Sequence, residues 1–209
     1  MIDLIGLIIV SAIRNLFAKQ PNVLTNTTAT GMTEWNLGHH LANEINRYIF
    51  WLNHDLDVIK RNHNNQRPDI IFHQRGIYSL NFLVIEIKCT NYVEGDIRKI
   101  REDWMGNDLC YRYGASVVIQ SQRKFSVRVF ENGMERPQCF GQQSPYIVSP
   151  DIDTEQEGRL RHIVSQVVEV ERELQQDGHP RIFFNNHGVS QLMLNLDEVI
   201  AEMYARETN

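Results

Sequence analysis

The chain has little of what would commit it to several common designs. Its three cysteines, Cys89, Cys110 and Cys139, lie far apart and form no Cys-x-x-Cys pair. That argues against a disulfide framework and a cysteine-rich zinc site, and for a reducing, cytoplasmic setting. No apolar run reaches the ~18 residues that a membrane crossing needs. No G-x-x-x-x-G-K-[ST] loop is present, which excludes an ATP motor of that kind, and no G-x-S-x-G elbow marks a serine hydrolase. Internal repeats and low-complexity tracts are absent. Excess positive charge is missing too: the formal net charge is −5.

What is present is an average globular composition, 209 residues with 42% hydrophobic and 22% charged. That is enough chain for one sizeable core. The charge is unevenly spread. Residues 60–101 carry a net +4 and residues 151–209 a net −7, so the total hides a basic segment in the middle. The most apolar stretch, MIDLIGLIIVSAIRNLF, is interrupted by Asp3 and Arg14 and has neither a basic leader nor a small-residue cleavage site. It reads as an amphipathic helix packed on the body, with no membrane role.

Periodicity predicts a helix over about 33–52 with Thr33 as its cap, and strands over 69–75 and 82–88 joined as an antiparallel hairpin. A helix over about 96–109 follows, with Asp96 as cap and Ile97, Ile100 and Trp104 on one face. Strands over 115–121 and 125–131 come next, then a proline-marked loop over 137–150. Helices over 154–177 and 195–206 complete the chain. The shift in composition near 150 divides it into a body, 1–150, and an acidic helical appendage, 151–209, packed on the core or used for dimerisation.

The chemistry-bearing residues lie on the hairpin. Glu86 and Lys88 are two apart in a strand and share one face, while Ile85 and Ile87 point to the other. A charged pair ending an apolar strand is costly unless partnered or bound to something. The 17-residue separation of Asp69 and Glu86 suits two strands and a turn, bringing both carboxylates to one rim. Two converging carboxylates suit a hard cation such as Mg²⁺ that keeps several waters and takes oxygens from a phosphate substrate. A neighbouring lysine holds or activates an attacking water, or offsets charge at phosphorus. On the preceding helix Glu34 falls in the middle of the stripe formed by Leu37, Leu41, Ile45 and Leu52, so it faces the protein; position alone equally allows an acid that complements the helix dipole.

Taken together, RPDIIFHQRG and LVIEIKCT resemble the PD-(D/E)XK nuclease superfamily, the restriction-endonuclease-like fold. Pro68-Asp69 and Glu86-Ile87-Lys88 fill its motif, and Glu34 fits the acid often carried on the helix before the hairpin. Glu34, His39, Leu41 and Ala42, followed by RPDII and LVIEIK, are similar to small bacterial members. The likeness covers about 30–120. It implies an α/β fold with an αβββαβ core, a mixed central sheet flanked by helices, and an additional C-terminal helical part. The first core strand is expected near LDVIKRN, 56–62.

The resemblance implies that Asp69 and Glu86 ligate Mg²⁺ or Mn²⁺ with help from the Ile87 carbonyl. Glu34 would contact the metal through water or orient Lys88, and Lys88 would position and activate the water. The implied activity is hydrolysis of nucleic-acid phosphodiesters, DNA ranked before RNA, leaving a 5′-phosphate and a 3′-hydroxyl. Arg67, Arg75 and Lys99 are the expected phosphate contacts, with a solvated face as the plain alternative. Tyr111 and Tyr113 fill a helix–strand junction or stack on bases. His39 and His40, being adjacent, do not converge on one metal, and NHNN at 62–65 has no second histidine at metal spacing. Two other readings remain open: a non-catalytic nucleic-acid- or protein-binding module on the same fold, and an assembly protein that forms a homodimer through 155–177.

Overall fold

A computed structural model describes residues 4–25, 31–58, 66–89, 94–106, 109–150, 154–178 and 186–205. Two helices come first, α1 (Leu4–Lys19) and α2 (Thr33–Asn46). A meander of β1 (Asn53–Leu56), β2 (Ile70–Gln74) and β3 (Ile77–Lys88) follows. Helix α3 (Glu94–Arg98) runs straight into a π-helical segment (Lys99–Trp104). Next come β4 (Tyr113–Ser121), β5 (Lys124–Glu131), β6 (Met134–Glu135) and β7 (Cys139–Phe140), then α4 (Thr154–Gln176) and α5 (His187–Ala205). The sheet order is β1-β2-β3-β4-β5-β6, with β7 also on β5. Among the described residues only β3 and β4 pair in parallel, across the α3 crossover, and the other pairs are antiparallel. The fold is therefore α/β, with a mixed, mostly antiparallel sheet flanked by helices.

Several elements differ from their sequence expectations for identifiable reasons. Helix α1 is covered on nearly all sides, Ile8, Ile9 and Val10 in succession being at most 1% exposed. It lies against α2, β5 and β7, so it is a core helix and not an amphipathic one. Among the described residues no helix is long and apolar enough to cross a membrane. Helix α2 stops at Asn46, six residues early, and Tyr48, Ile49, Trp51 and Leu52 continue the burial as turns. Met32 occupies its cap position with no side-chain cap bond.

The β2–β3 turn is tighter than expected. Gly76, at φ 79°, reverses the chain in the conformation that favours glycine, so β3 starts at Ile77. The first strand ends at Leu56 instead of beginning there, and residues 59–62 of the expected strand lie outside the described residues. Asp96 sits in the first turn of α3 and is not its cap. Helix α5 begins eight residues earlier than expected because Asn186 caps it: its Oδ1 accepts from the Gly188 and Val189 amides at 2.9 and 3.3 Å. The RIFF segment lies outside the described residues.

The sheet separates two apolar clusters. The larger joins α1, α2, Leu83, Ile85, Ile87, and the inner faces of α4 and α5 through Leu160, Val167 and Leu196. The smaller holds Ile71, Val84, Ile100, Trp104, Leu109, Tyr111 and Phe130 beneath the crossover. Gly114 of β4 permits this packing, since a Cβ there would lie 2.2 Å from Ile100 Cγ2. Tyr111 is thus a junction-filling residue, as one of its two expected readings had it.

Candidate active site

The rim is built by strand register. Ile70 pairs with Ile85, and one step further along the antiparallel ladder Asp69 lies opposite Glu86, where side chains of facing residues share a face. Asp69 Oδ2 accepts the Ile87 amide at 2.6 Å. The Ile87 carbonyl leaves the strand on the same edge as its amide, toward the same rim, while its side chain is fully buried in the larger core. The alternation over Glu86 and Lys88 matches the sequence expectation.

Glu86 is 3% exposed. Its Oε1 accepts from the Trp104 indole at 2.8 Å and lies 2.7 Å from the Lys99 ammonium. The π segment explains why both donors reach one oxygen. Met105 N bonds to Ile100 O, five residues back, at 3.0 Å, so the turn is widened. In an ordinary helix, residues five apart diverge by roughly 140°; here Lys99 and Trp104 meet, with the ammonium 5.3 Å from the indole centroid. Lys99 also donates to the Arg67 carbonyl at 2.9 Å.

Burial, followed by the charge of Asp69, pushes the Glu86 carboxyl up to about 7, against the pull of Lys99 and Trp104. Burial likewise raises Asp69, and Glu34 adds to it, although the Ile87 amide, Lys88 and Lys99 oppose the rise. Burial works to lower Lys88, but Asp96, Glu34, Asp69 and Glu86 together outweigh it and hold the ammonium protonated. Lys88 Nζ lies 3.6 Å from Glu34 Oε2, and Glu34 Oε1 accepts the Cys89 amide at 3.1 Å. Glu34 therefore faces the end of β3, as its helical position implies.

The structure thus brings Glu34, Asp69, Glu86, Ile87, Lys88 and Lys99 together. It does not bring Arg75 to them. Arg75 follows the far end of β2, six residues from Asp69, which at ~3.3 Å per residue is about 20 Å away. There its guanidinium forks onto Asp55, with Nε 2.9 Å from Oδ2. Arg67 stands near the rim but is paired with Asp57 at 3.2 Å. Trp104, missed in the sequence as a site residue, had one signal: an indole N–H, which needs a partner when buried, on the apolar face of the helix after the acid. Asp96 joins the site electrostatically, its carboxyl raised first by burial.

Asp55 makes a separate prediction. Arg75 first, then His73 at 2.8 Å, hold its carboxyl at about 2, against burial and below the ordinary 3.8. The unfolded chain then binds more protons in this window, so the stabilisation is present above about pH 4 and lost as pH falls toward 2. Chemical denaturation between pH 5 and 2 should show a steeper loss for the native chain than for Asp55→Asn.

Two carboxylates can hold a divalent ion only if oxygens are left for it. Among the described residues, donors reach Oδ2 of Asp69 and Oε1 of Glu86, and none reaches the other oxygen of either. Among the described residues there is also no group of three or more His, Cys, Asp or Glu that can enclose a metal. What the rim offers a cation is the remaining oxygen of each carboxylate, an oxygen-only donor set. That fits Mg²⁺, which binds through one or two carboxylates and keeps its waters, and does not fit an enclosed structural metal. No family model, curated protein or solved structure matches the chain.

Proposed function

We propose that the protein hydrolyses nucleic-acid phosphodiester bonds, DNA before RNA, with a divalent cation at the Asp69–Glu86 rim. The observation that carries this is the juxtaposition of two carboxylates, both raised, beside a protonated Lys88 at the open end of β3. A structural ion pair would relieve its acids; these two still carry a penalty that a cation would remove. Helix α2, the β1–β3 meander, the α3 crossover and parallel β4 follow the αβββαβ order of the restriction-endonuclease-like fold, which supports the same reading.

Asp69 and Glu86 would hold Mg²⁺ or Mn²⁺, with the Ile87 carbonyl on the same side. When bound, the ion supplies Lewis-acid stabilisation of charge on a phosphoryl oxygen. Lys88 would position and activate the attacking water and offset charge at phosphorus. Glu34 positions Lys88, and Lys99 and Trp104 fix the orientation of Glu86. The water oxygen bonds to phosphorus, the bond to the 3′ oxygen breaks, that oxygen takes a proton, and the second water proton leaves to solvent.

A second reading has one observation in its favour: Lys99 already sets a positive charge on Glu86, as a non-catalytic module would. Thermal unfolding with Mn²⁺ separates the two. An ion that binds only the folded state at a hundredfold excess over its Kd adds about 2.7 kcal/mol, which is roughly 5–10 °C for a chain of this size. The rise should appear in the native protein and vanish in Asp69→Ala. A flat midpoint in both, repeated with a short oligonucleotide present and with no cleavage of DNA or RNA, leaves the non-catalytic module.

A further inference from the structure

One exposed feature lies beside the rim. Of the three tryptophans, Trp51 and Trp104 are 4% and 0% exposed, whereas Trp35 is 56% exposed. Trp35 immediately follows Glu34 in the first turn of α2. Its ring is stacked on that of His39, one turn on, with centroids 6.2 Å apart and planes 12° from parallel. The His40 ring meets His39 edge-on, 5.3 Å between centroids. Along the same face Asn43 and Arg47 follow at the same four-residue spacing, both exposed. The outer face of α2 therefore reads aromatic, imidazole, amide, guanidinium from the rim outward.

We propose that Trp35, braced by His39, is a stacking platform for an unpaired nucleobase, so that the site takes single-stranded or locally opened nucleic acid. This rests on the nuclease reading above and names its substrate class. The chemistry of the face selects the occupant. Large exposed apolar patches mark protein-binding faces, and around Trp35 the outward positions His39, Asn43 and Arg47 are polar, with Met32 the one other exposed apolar side chain in residues 31–47. A base offers a flat π-face for the indole and polar edges for the amide and imidazole. Its phosphates carry the charge that Arg47, exposed and 3.5 Å from Glu44, and Lys88, held at Glu34 next to Trp35 in the chain, complement. Paired bases are already stacked on their neighbours and present only edges, so the platform favours unpaired ones.

The test is done on the full chain in chelator, so that no cleavage is needed. A short oligothymidylate, an abasic oligomer of the same length and charge, and a duplex are titrated. Two signals are followed: anisotropy of a labelled oligomer, which reports binding anywhere, and tryptophan fluorescence with acrylamide quenching, whose exposed fraction is Trp35. Expected are quenching and acrylamide protection by oligothymidylate and not by the abasic chain. Trp35→Ala, at a surface position that leaves the fold's melting point unchanged, should bind oligothymidylate roughly tenfold more weakly, with abasic binding unaltered and Trp35→Phe intermediate. Binding by anisotropy with a silent tryptophan signal, or equal weakening for the abasic chain, overturns the platform and leaves the nuclease reading standing. No binding of any oligomer removes the nucleic-acid partner and the platform together. Fluorescence that changes with protein concentration alone, alongside a dimer lost in Trp35→Ala, assigns the face to a second copy and overturns the proposal.

Discussion

Glu86→Gln should raise the stability of the protein at pH 8 while removing the proposed hydrolysis. The native carboxyl sits at about 7 instead of its ordinary 4.5, so the folded state holds its proton more tightly than the unfolded chain. The sign follows: this group favours folding below about pH 4.5, and that contribution is lost as pH rises toward 7. The span corresponds to about 3 kcal/mol at pH 8, in which the attraction of Lys99 is already included. Glutamine keeps an acceptor for the Trp104 indole and removes the charge. Its melting point should exceed that of the native chain at pH 8, by several degrees, and converge with it near pH 4. Cleavage should fall on the order of a thousandfold, about 4 kcal/mol of lost transition-state stabilisation. Mn²⁺ should then stabilise the native chain and not the variant. A variant that is less stable at pH 8 would mean that Glu86 serves the fold through Lys99, and the nuclease reading would lose its main support.

That opposition between stability and activity is where sequence and structure meet. Asp69, Glu86 and Lys88 were legible because a strand alternates strictly and a hairpin's register follows from its ends. Glu34 was legible because an acid in an apolar helical stripe has nowhere to point but inward. The donors to Glu86 were not. Lys99 and Trp104 converge through a turn widened to five residues, a spacing that a 3.6-residue period hides; the sequence suggested a phosphate contact where the structure places a carboxylate partner. Arg75 belongs to the basic segment 60–101 and so counts among the expected phosphate contacts, yet a strand carries its two ends apart. Asp3 and Arg14 interrupt the apolar run of helix α1 and make it read as amphipathic. Its surroundings, which come from β5, β7 and α2, are not written in its own residues. Glu171 repeats the Glu34 signal, falling on the stripe of Leu160, Val164, Val167 and Leu174, and went unread for want of a partner in view.

Glu171→Ala should be the most destabilising substitution outside the two cores. The side chain is 0% exposed, and its two oxygens accept the Tyr78 and Ser79 amides at 2.6 and 2.8 Å, with Gln175 Nε2 at 3.0 Å from Oε1. The register explains the need. Among the described residues the β3–β4 ladder begins at Leu83, and at Tyr78 and Ser79 the α4 carboxylate is an acceptor for the backbone amides. Alanine strands two amides against a helix that excludes water. At about 1–3 kcal/mol for each unsatisfied group, plus the cavity, the loss is about 3–5 kcal/mol, or roughly 10 °C or more in melting point. Glutamine retains one acceptor and turns a second donor against an amide, so it should fall between the two. Relief of a buried charge acts in the other direction. It cannot win in alanine, because the amides that compensated the charge are left behind. An alanine variant that melts with the native chain would show that water reaches the β3 edge beneath α4. The opposite end of the same strand carries Glu86 and Lys88. One buried glutamate on α4 thus satisfies β3 where it begins, and another on β3 itself keeps a raised carboxyl where it ends, despite Lys99 and Trp104: the first should lower stability when removed, the second should raise it, and only the second should take the proposed hydrolysis with it.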